Sequence, residues 1–316
     1  MSINDKRFEE LFVEALKQNN LDKVRACITL GIDVNVRNIS RQNDCALFWA
    51  MSWAIRGHGN EMLELFLAQP NIDVNVNISG ENGVTALMVA SASGAANIVQ
   101  RLSQVPGIDL NARCKDGRTA AWYAVSNRKL ECVRVLSAIP GINWNIKDNR
   151  GRTPMSLALN NGLVETLKIL LTLQSIDFGI TDGQNRSIAQ IAVEGNSLQC
   201  LELISKDSRV NWNVRNGNGE TPIMYTWKNR KSEMFKILAK IPTIDIDSFM
   251  QDSFNTAPEC PVCFKTFTKN SRIFQCIQGH FVCERCNEQI QNCPKCRGQM
   301  IGRAHDFEQF FQTLHI

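Results

Sequence analysis

The chain has 316 residues, 44% of them apolar, which is enough for a substantial core and suggests about two domains. A net charge of +4 is too mild for the basic stripe of a nucleic-acid binder. The charged start, MSINDKRFEE, lacks the apolar core of a signal peptide, and the longest apolar run, ALFWAMSWAI (46–55), is about half of the ~20 residues of a membrane helix.

The expected compartment is therefore the cytoplasm, with the nucleus also open. Twelve cysteines in such a reducing setting are not read as disulfides. Five of them, Cys27, Cys45, Cys114, Cys132 and Cys200, occur singly and read as small buried hydrophobes.

Residues 1–250 repeat. Thr85, Thr119, Thr153, Ser187 and Thr221 recur every 34 residues and open the phrases TALMVA, TAAWYA, TPMSLA, SIAQIA and TPIMYT; CALFWA at Cys45 is an earlier copy. A second marker keeps step, from IDVNV at 32 through INWNI at 142 to IDIDS at 244. Seven markers imply about seven units, the first and last as caps, the first lacking the Thr phrase, and the second longer by six residues around SWAIRGHGN.

Each Thr or Ser can cap a helix, and Pro154 and Pro222 follow where a missing N–H is harmless. Two residues before the caps stand Asn43, Gly83, Gly117, Gly151, Asn185 and Gly219, residues that tolerate positive φ in a tight turn. Five residues after them stand Ala50, Ala90, Ala124, Ala158, Ala192 and Thr226, small enough for close helix approach. Pairs such as Val99/Leu102, Val133/Leu136, Leu167/Leu170 and Leu201/Ile204 then mark a second helix.

Helix, turn, helix and a Gly- or Asn-bearing turn resemble the ankyrin repeat over residues ~5–250. Tetratricopeptide repeats share the period but lack the capped Thr-Pro and the D-x-N turn. No copy has the histidine of the family phrase; Phe48, Met88, Trp122, Ser156, Gln190 and Met224 stand in its place. The resemblance implies a helical solenoid whose concave face binds protein and carries no chemistry. Trp144 and Trp212 read as core, and Trp122 and Tyr123 as either core or contact face. The turn tips carry Arg37, Arg113, Lys115, Lys147, Arg150 and Arg215 against Asp116, Asp148 and Asp182, a solvated row or a site for an acidic partner.

Eight ligand-type residues follow within 37 positions: Cys260, Cys263, Cys276, His280, Cys283, Cys286, Cys293 and Cys296. Eight ligands make two closed tetrahedral zinc sites with no position for water, so the two zinc ions are structural and not catalytic. The segment has few apolar residues, and metal binding is expected to supply its folding free energy.

With histidine fourth, the order resembles a RING finger; a PHD finger would place it fifth. ECPVCF, the QC–GHFVC–C run and CPKCRG are most similar to the RING of the seven-in-absentia ubiquitin ligases, over residues ~258–300. The substrate domain of those ligases has no counterpart here. The resemblance implies interleaved ligands: Cys260, Cys263, Cys283 and Cys286 on zinc 1, and Cys276, His280, Cys293 and Cys296 on zinc 2. It also implies that Val262, Ile290 and Pro294 dock a ubiquitin-conjugating enzyme and that Arg297 bridges that enzyme to its ubiquitin. The alternatives are mini-core packing for Val262 and Ile290 and a solvated arginine for Arg297.

The expected architecture is mainly α. It comprises an ankyrin-repeat solenoid (1–250), a linker (251–258), a small zinc-stabilised α+β RING domain (259–300) and a C-terminal amphipathic helix (301–316). Phe307, Phe310, Phe311 and Leu314 lie at helical spacing in that tail, which either packs within the chain or pairs two copies as a homodimer. The leading function is a RING-type ubiquitin-protein ligase with no covalent intermediate on the chain. Its partners would be a conjugating enzyme, ubiquitin and a protein substrate on the repeats. The alternative is a non-catalytic scaffold with a structural zinc module.

Overall fold

The computed structural model of the chain describes residues 3–37, 44–78, 82–245, 260, 263, 272–276, 281–290, 292, 299–304 and 308. Helices come first, in pairs: α1 (Ile3–Lys17) with α2 (Leu21–Thr29), α3 (Ala46–Ile55) with α4 (Glu61–Leu67), α5 (Ala86–Ser93) with α6 (Ala96–Ser103), and α7 (Ala120–Ser126) with α8 (Leu130–Ala138). Then come α9 (Pro154–Asn160) with α10 (Val164–Thr172), α11 (Ile188–Glu194) with α12 (Leu198–Ile204), and α13 (Pro222–Lys228) with α14 (Ser232–Leu238). A small region follows with β1 (Ile273–Cys276), β2 (Phe281–Cys283), α15 (Glu284–Asn287) and β3 (Met300–Arg303). The chain divides into two compact units between Gln184 and Asn185, the first holding α1–α10 and the second the rest.

Caps set where the first helix of each pair begins. Thr119 accepts the backbone N–H of Trp122, Thr153 that of Ser156, Ser187 that of Gln190 and Thr221 that of Met224. Cys45 and Thr85 make no such bond. The longer second repeat has a ten-residue α3 and a turn at Arg56–Asn60, where Gly57 and Gly59 take positive φ. Packing is by nearest neighbour within each unit: α5 lies on α3, α6 and α7, and α13 lies on α11 and α14. Ala50, Ala90, Ala124, Ala158 and Thr226 are all wholly buried, as close helix approach requires. Trp144, Trp212 and the five single cysteines are buried too. Trp122 is core at 5% exposure, whereas Tyr123 is half-buried. Gln190, at the place of the missing histidine, donates through Nε2 to the carbonyls of Val214 and Glu220 and so ties two repeats together.

A row of asparagines links successive repeats. Asn35 donates to the Asn71 carbonyl and accepts from the Asp73 N–H, and Asn75 treats Gly107 and Asp109 the same way. Asn111 bonds Gly141 and Asn143, both at 2.7 Å, and Asn145 bonds Ser175 and Asp177. The next place is Gly179, which has no side chain to continue the row; in the second unit Asn213 bonds Thr243 and Asp245. Asn111→Ala removes both inter-repeat bonds and is expected to cost about 1–3 kcal/mol in urea unfolding. An unchanged midpoint would show that the row carries no stability.

The turn residues Gly83, Gly117, Gly151, Asn185 and Gly219 all have positive φ; Asn43 lies outside the described residues. Gly151 has a second constraint. A Cβ there would stand 2.2 Å from the Gly183 nitrogen, whereas a Cβ on Gly219 would meet nothing within 4 Å. Gly219→Ala should therefore cost only the left-handed backbone penalty of about 1–2 kcal/mol, and Gly151→Ala distinctly more. Equal shifts in thermal midpoint would contradict this.

The sheet has the order β2-β1-β3, antiparallel throughout, with Ile273 opposite Cys283 and Phe274 opposite Arg303. The expected tail helix does not begin at residue 301: Ile301–Arg303 belong to β3, which pairs the edge of β1 that β2 leaves open. Phe307, Phe310, Phe311, Leu314 and the linker at 251–258 lie outside the described residues.

Candidate metal centre

β1 and β2 present their ends to a cluster of thiols. Cys283 closes β2 and also sits at the N-terminal boundary of α15, whose first turn supplies Cys286. The Glu284 N–H bonds the Arg272 carbonyl at 2.9 Å, and the two side chains meet at 2.7 Å, which fixes this strand-to-helix turn. Cys260 and Cys263 join from upstream. The four sulfurs of Cys260, Cys263, Cys283 and Cys286 all lie within 4.8 Å of one another, and the Cys263 and Cys283 sulfurs are 3.7 Å apart. Cys260 and Cys286 are buried, and Cys263 and Cys283 half-buried.

This set fits a tetrahedral zinc. A Zn–S bond of ~2.3 Å implies sulfurs about 3.8 Å apart along each tetrahedral edge. Burial, followed by hydrogen bonds of its thiol to Cys283, Cys263 and Cys260, pushes Cys286 up to about 12. Burial also raises Cys283. A divalent cation reverses this balance, because a coordinating thiol is deprotonated outright. Four protein ligands leave no place for water, so the chemistry such an ion supplies is folding free energy.

Among the other expected site residues, Ile290 is half-buried in the turn after α15, its N–H bonding the Asn287 carbonyl. Cys276 ends β1. Its side chain lies outside the described set, as do Val262, His280, Cys293, Pro294, Cys296 and Arg297.

One residue that spacing did not single out organises the sheet. Glu308, nine-tenths buried, accepts the Ile273 N–H at 2.7 Å and pairs with Arg303 at 2.8–2.9 Å, clamping β1 to β3. The sequence signal was weak: a lone glutamate five residues after an arginine.

Five overlapping stretches, 11–114, 51–148, 87–182, 129–216 and 155–250, match the ankyrin-repeat model and together span well over half of the chain. The chain belongs to the ankyrin-repeat family. Residues 260–296 match a second model, the RING finger of sina/sinah E3 ubiquitin-protein ligases. In that region 42 residues are 45% identical to the human E3 ubiquitin-protein ligase SIAH2, which is 13% of this chain and 12% of that one. A 56-residue stretch is 39% identical to the E3 ubiquitin-protein ligase sina of Drosophila melanogaster, 18% of this chain and 17% of that one. The chain thus spans under a fifth of the length of the ligases it matches. Its repeats share their fold with the crystal structure of the ankyrin repeat domain of Bcl-3, with TM-score 0.62, 22% identity, and 72% of this chain and 97% of that one covered. The ankyrin repeat protein EF0377 superposes with TM-score 0.54 at 18% identity over 60% of this chain and 96% of that one.

Cys286→Ser should remove one metal equivalent from the full chain by elemental analysis. The helical circular-dichroism signal should persist, because repeats draw stability from their neighbours. An unchanged metal content would exclude this cluster as a metal site.

Proposed function

We propose that this chain is a RING-type ubiquitin-protein ligase whose repeats hold a protein substrate while its RING activates a ubiquitin-loaded conjugating enzyme. The observation that carries the reading is the sina-type RING match over the same residues that form the four-thiol cluster. The repeats, which supply partner surface and no catalytic grouping, support the substrate role.

In this reading two zinc ions hold the RING, the second on Cys276, His280, Cys293 and Cys296. Val262, Ile290 and Pro294 form the docking groove for the conjugating enzyme. Arg297 pins the mobile ubiquitin, so that its thioester becomes a near-attack conformer for a lysine. In this reading the compartment is the cytoplasm, with the nucleus also open.

The test is single-turnover discharge of a ubiquitin-loaded conjugating enzyme to free lysine. The wild-type chain should accelerate discharge with at least one enzyme of a broad panel. Arg297→Ala should keep its metal and its docking but lose a charged hydrogen-bonding arm of ~1.5–3 kcal/mol, or roughly ten- to a hundredfold in rate. Ile290→Ala should instead weaken docking. Discharge unaffected by the wild-type chain across the whole panel would favour the scaffold reading.

A further inference from the structure

We propose that the turn tips and first-helix face around Trp122 are a docking surface for an acidic segment of a protein partner. This rests on the reading of the repeats as the substrate arm.

Arg118 and Arg152 occupy equivalent places one repeat apart, each just before a helix cap. Both reach the same indole: their Cζ atoms lie 4.5 and 5.4 Å from the Trp122 ring centre. Two guanidiniums on one ring repel unless each is compensated, and the two are compensated unequally. Arg152 meets Asp148 at 2.9 Å through Nε and at 2.7 Å through a terminal nitrogen. Burial alone would raise the Asp148 pKa, but the hydrogen bonds and charge of Arg152, with the Arg150 N–H, hold it below the ordinary range. Asp148 is therefore a firm counterion.

Arg118 has a weaker one, a 3.2 Å contact with Asp116, whose side chain is 63% exposed, and its other hydrogen bond is to the neutral Tyr123 hydroxyl. Its Nε–H has no acceptor, and neither has the Nε1–H of Trp122, although both atoms are screened from solvent. Two unpaired donors beside an undercompensated cation leave this place short of negative charge, and the Arg118 guanidinium, 30% exposed, is the part an arriving carboxylate can reach.

The surroundings have the same sign. The Arg113 guanidinium spans from the Gly117 carbonyl to that of Lys147. Asn149 bonds the carbonyls of Lys115 and Asp116. These bonds line up the exposed Arg113, Lys115, Lys147 and Arg150 along one edge. Among the described tip residues, the acidic groups set against them and the two cap arginines are the exposed Asp116 and the buried Asp148 and Asp182. A carboxylate suits the guanidinium fork, with half-buried Tyr123 beside it. Nucleobases would need an open aromatic platform, which Trp122 at 5% exposure does not offer.

The experiment is fluorescence anisotropy of the full chain with a fluorescein-labelled peptide of repeated Glu-Gly pairs, its Gln-Gly counterpart, and a single-stranded oligonucleotide, all at one salt concentration. The Glu peptide should bind saturably, and the Gln peptide about tenfold more weakly or worse. Arg118→Gln should weaken the Glu peptide by about tenfold, the loss of one charge-assisted contact. Because Arg118 packs on Trp122, a second variant on exposed tips, Lys147→Gln with Arg150→Gln, should weaken binding severalfold at an unchanged unfolding midpoint. Arg134→Gln, on α8 and paired with Glu131, should change nothing. The proposal is overturned by an absence of saturable Glu-peptide binding, by equal binding of the Gln peptide, by tip variants that bind as wild type, or by tighter binding of the oligonucleotide. No conjugating enzyme is present in this assay, so its failure leaves the lysine-discharge result standing, and the reverse holds equally.

Discussion

No helix pair of the array can stand alone. Nine of the fourteen repeat helices run seven or eight residues, well short of the ~12–15 at which an isolated helix becomes even marginal in water. Stability must therefore come from the neighbouring repeat. The apolar pairs of the second helices are buried only because another repeat covers them, and the small residues at Ala90, Ala124 and Ala158 are what let it come close. The asparagine row adds a polar counterpart: one side chain satisfies a carbonyl and an N–H of the next turn in a single step. Such a scaffold tolerates wide variation on its turn tips, and there it displays its charge.

The small C-terminal region meets the same shortage of core in another way. Ile273, Val282 and Ala304 are buried, but three short strands and a four-residue helix enclose too little apolar surface to fold on burial alone. Four converging thiols replace the missing core. The burial that raises the Cys286 pKa keeps its thiol neutral in the metal-free chain, and a bound cation would displace that proton and supply folding free energy. Glu308 closes the opposite side of the sheet, with one carboxylate joining two strands.

Much of this was legible because repetition amplifies weak signals. A Thr or Gly every 34 residues carries more information than either residue alone, and both proved to be caps and left-handed turns. The asparagine row was visible as a marker but not as a bridge, since its partners lie 30–38 residues away. The strand at Met300–Arg303 was hidden for the same reason. Its pairing with Phe274 is non-local, Gly302 disfavours a strand by local propensity, and the aromatic spacing beyond it suggested a helix. Trp122 stayed ambiguous because burial of an indole depends on the two arginines packed over it, and those come from successive repeats.

The central claim is that a zinc-held RING on an ankyrin array makes this chain a ligase. The most direct measurement is autoubiquitination by the purified chain across a panel of conjugating enzymes, before and after removal of zinc by a chelator. The account predicts ubiquitin conjugates with at least one enzyme, lost on chelation and recovered when zinc is restored. An absence of conjugates with every enzyme, or conjugates that survive complete removal of the metal, would contradict it.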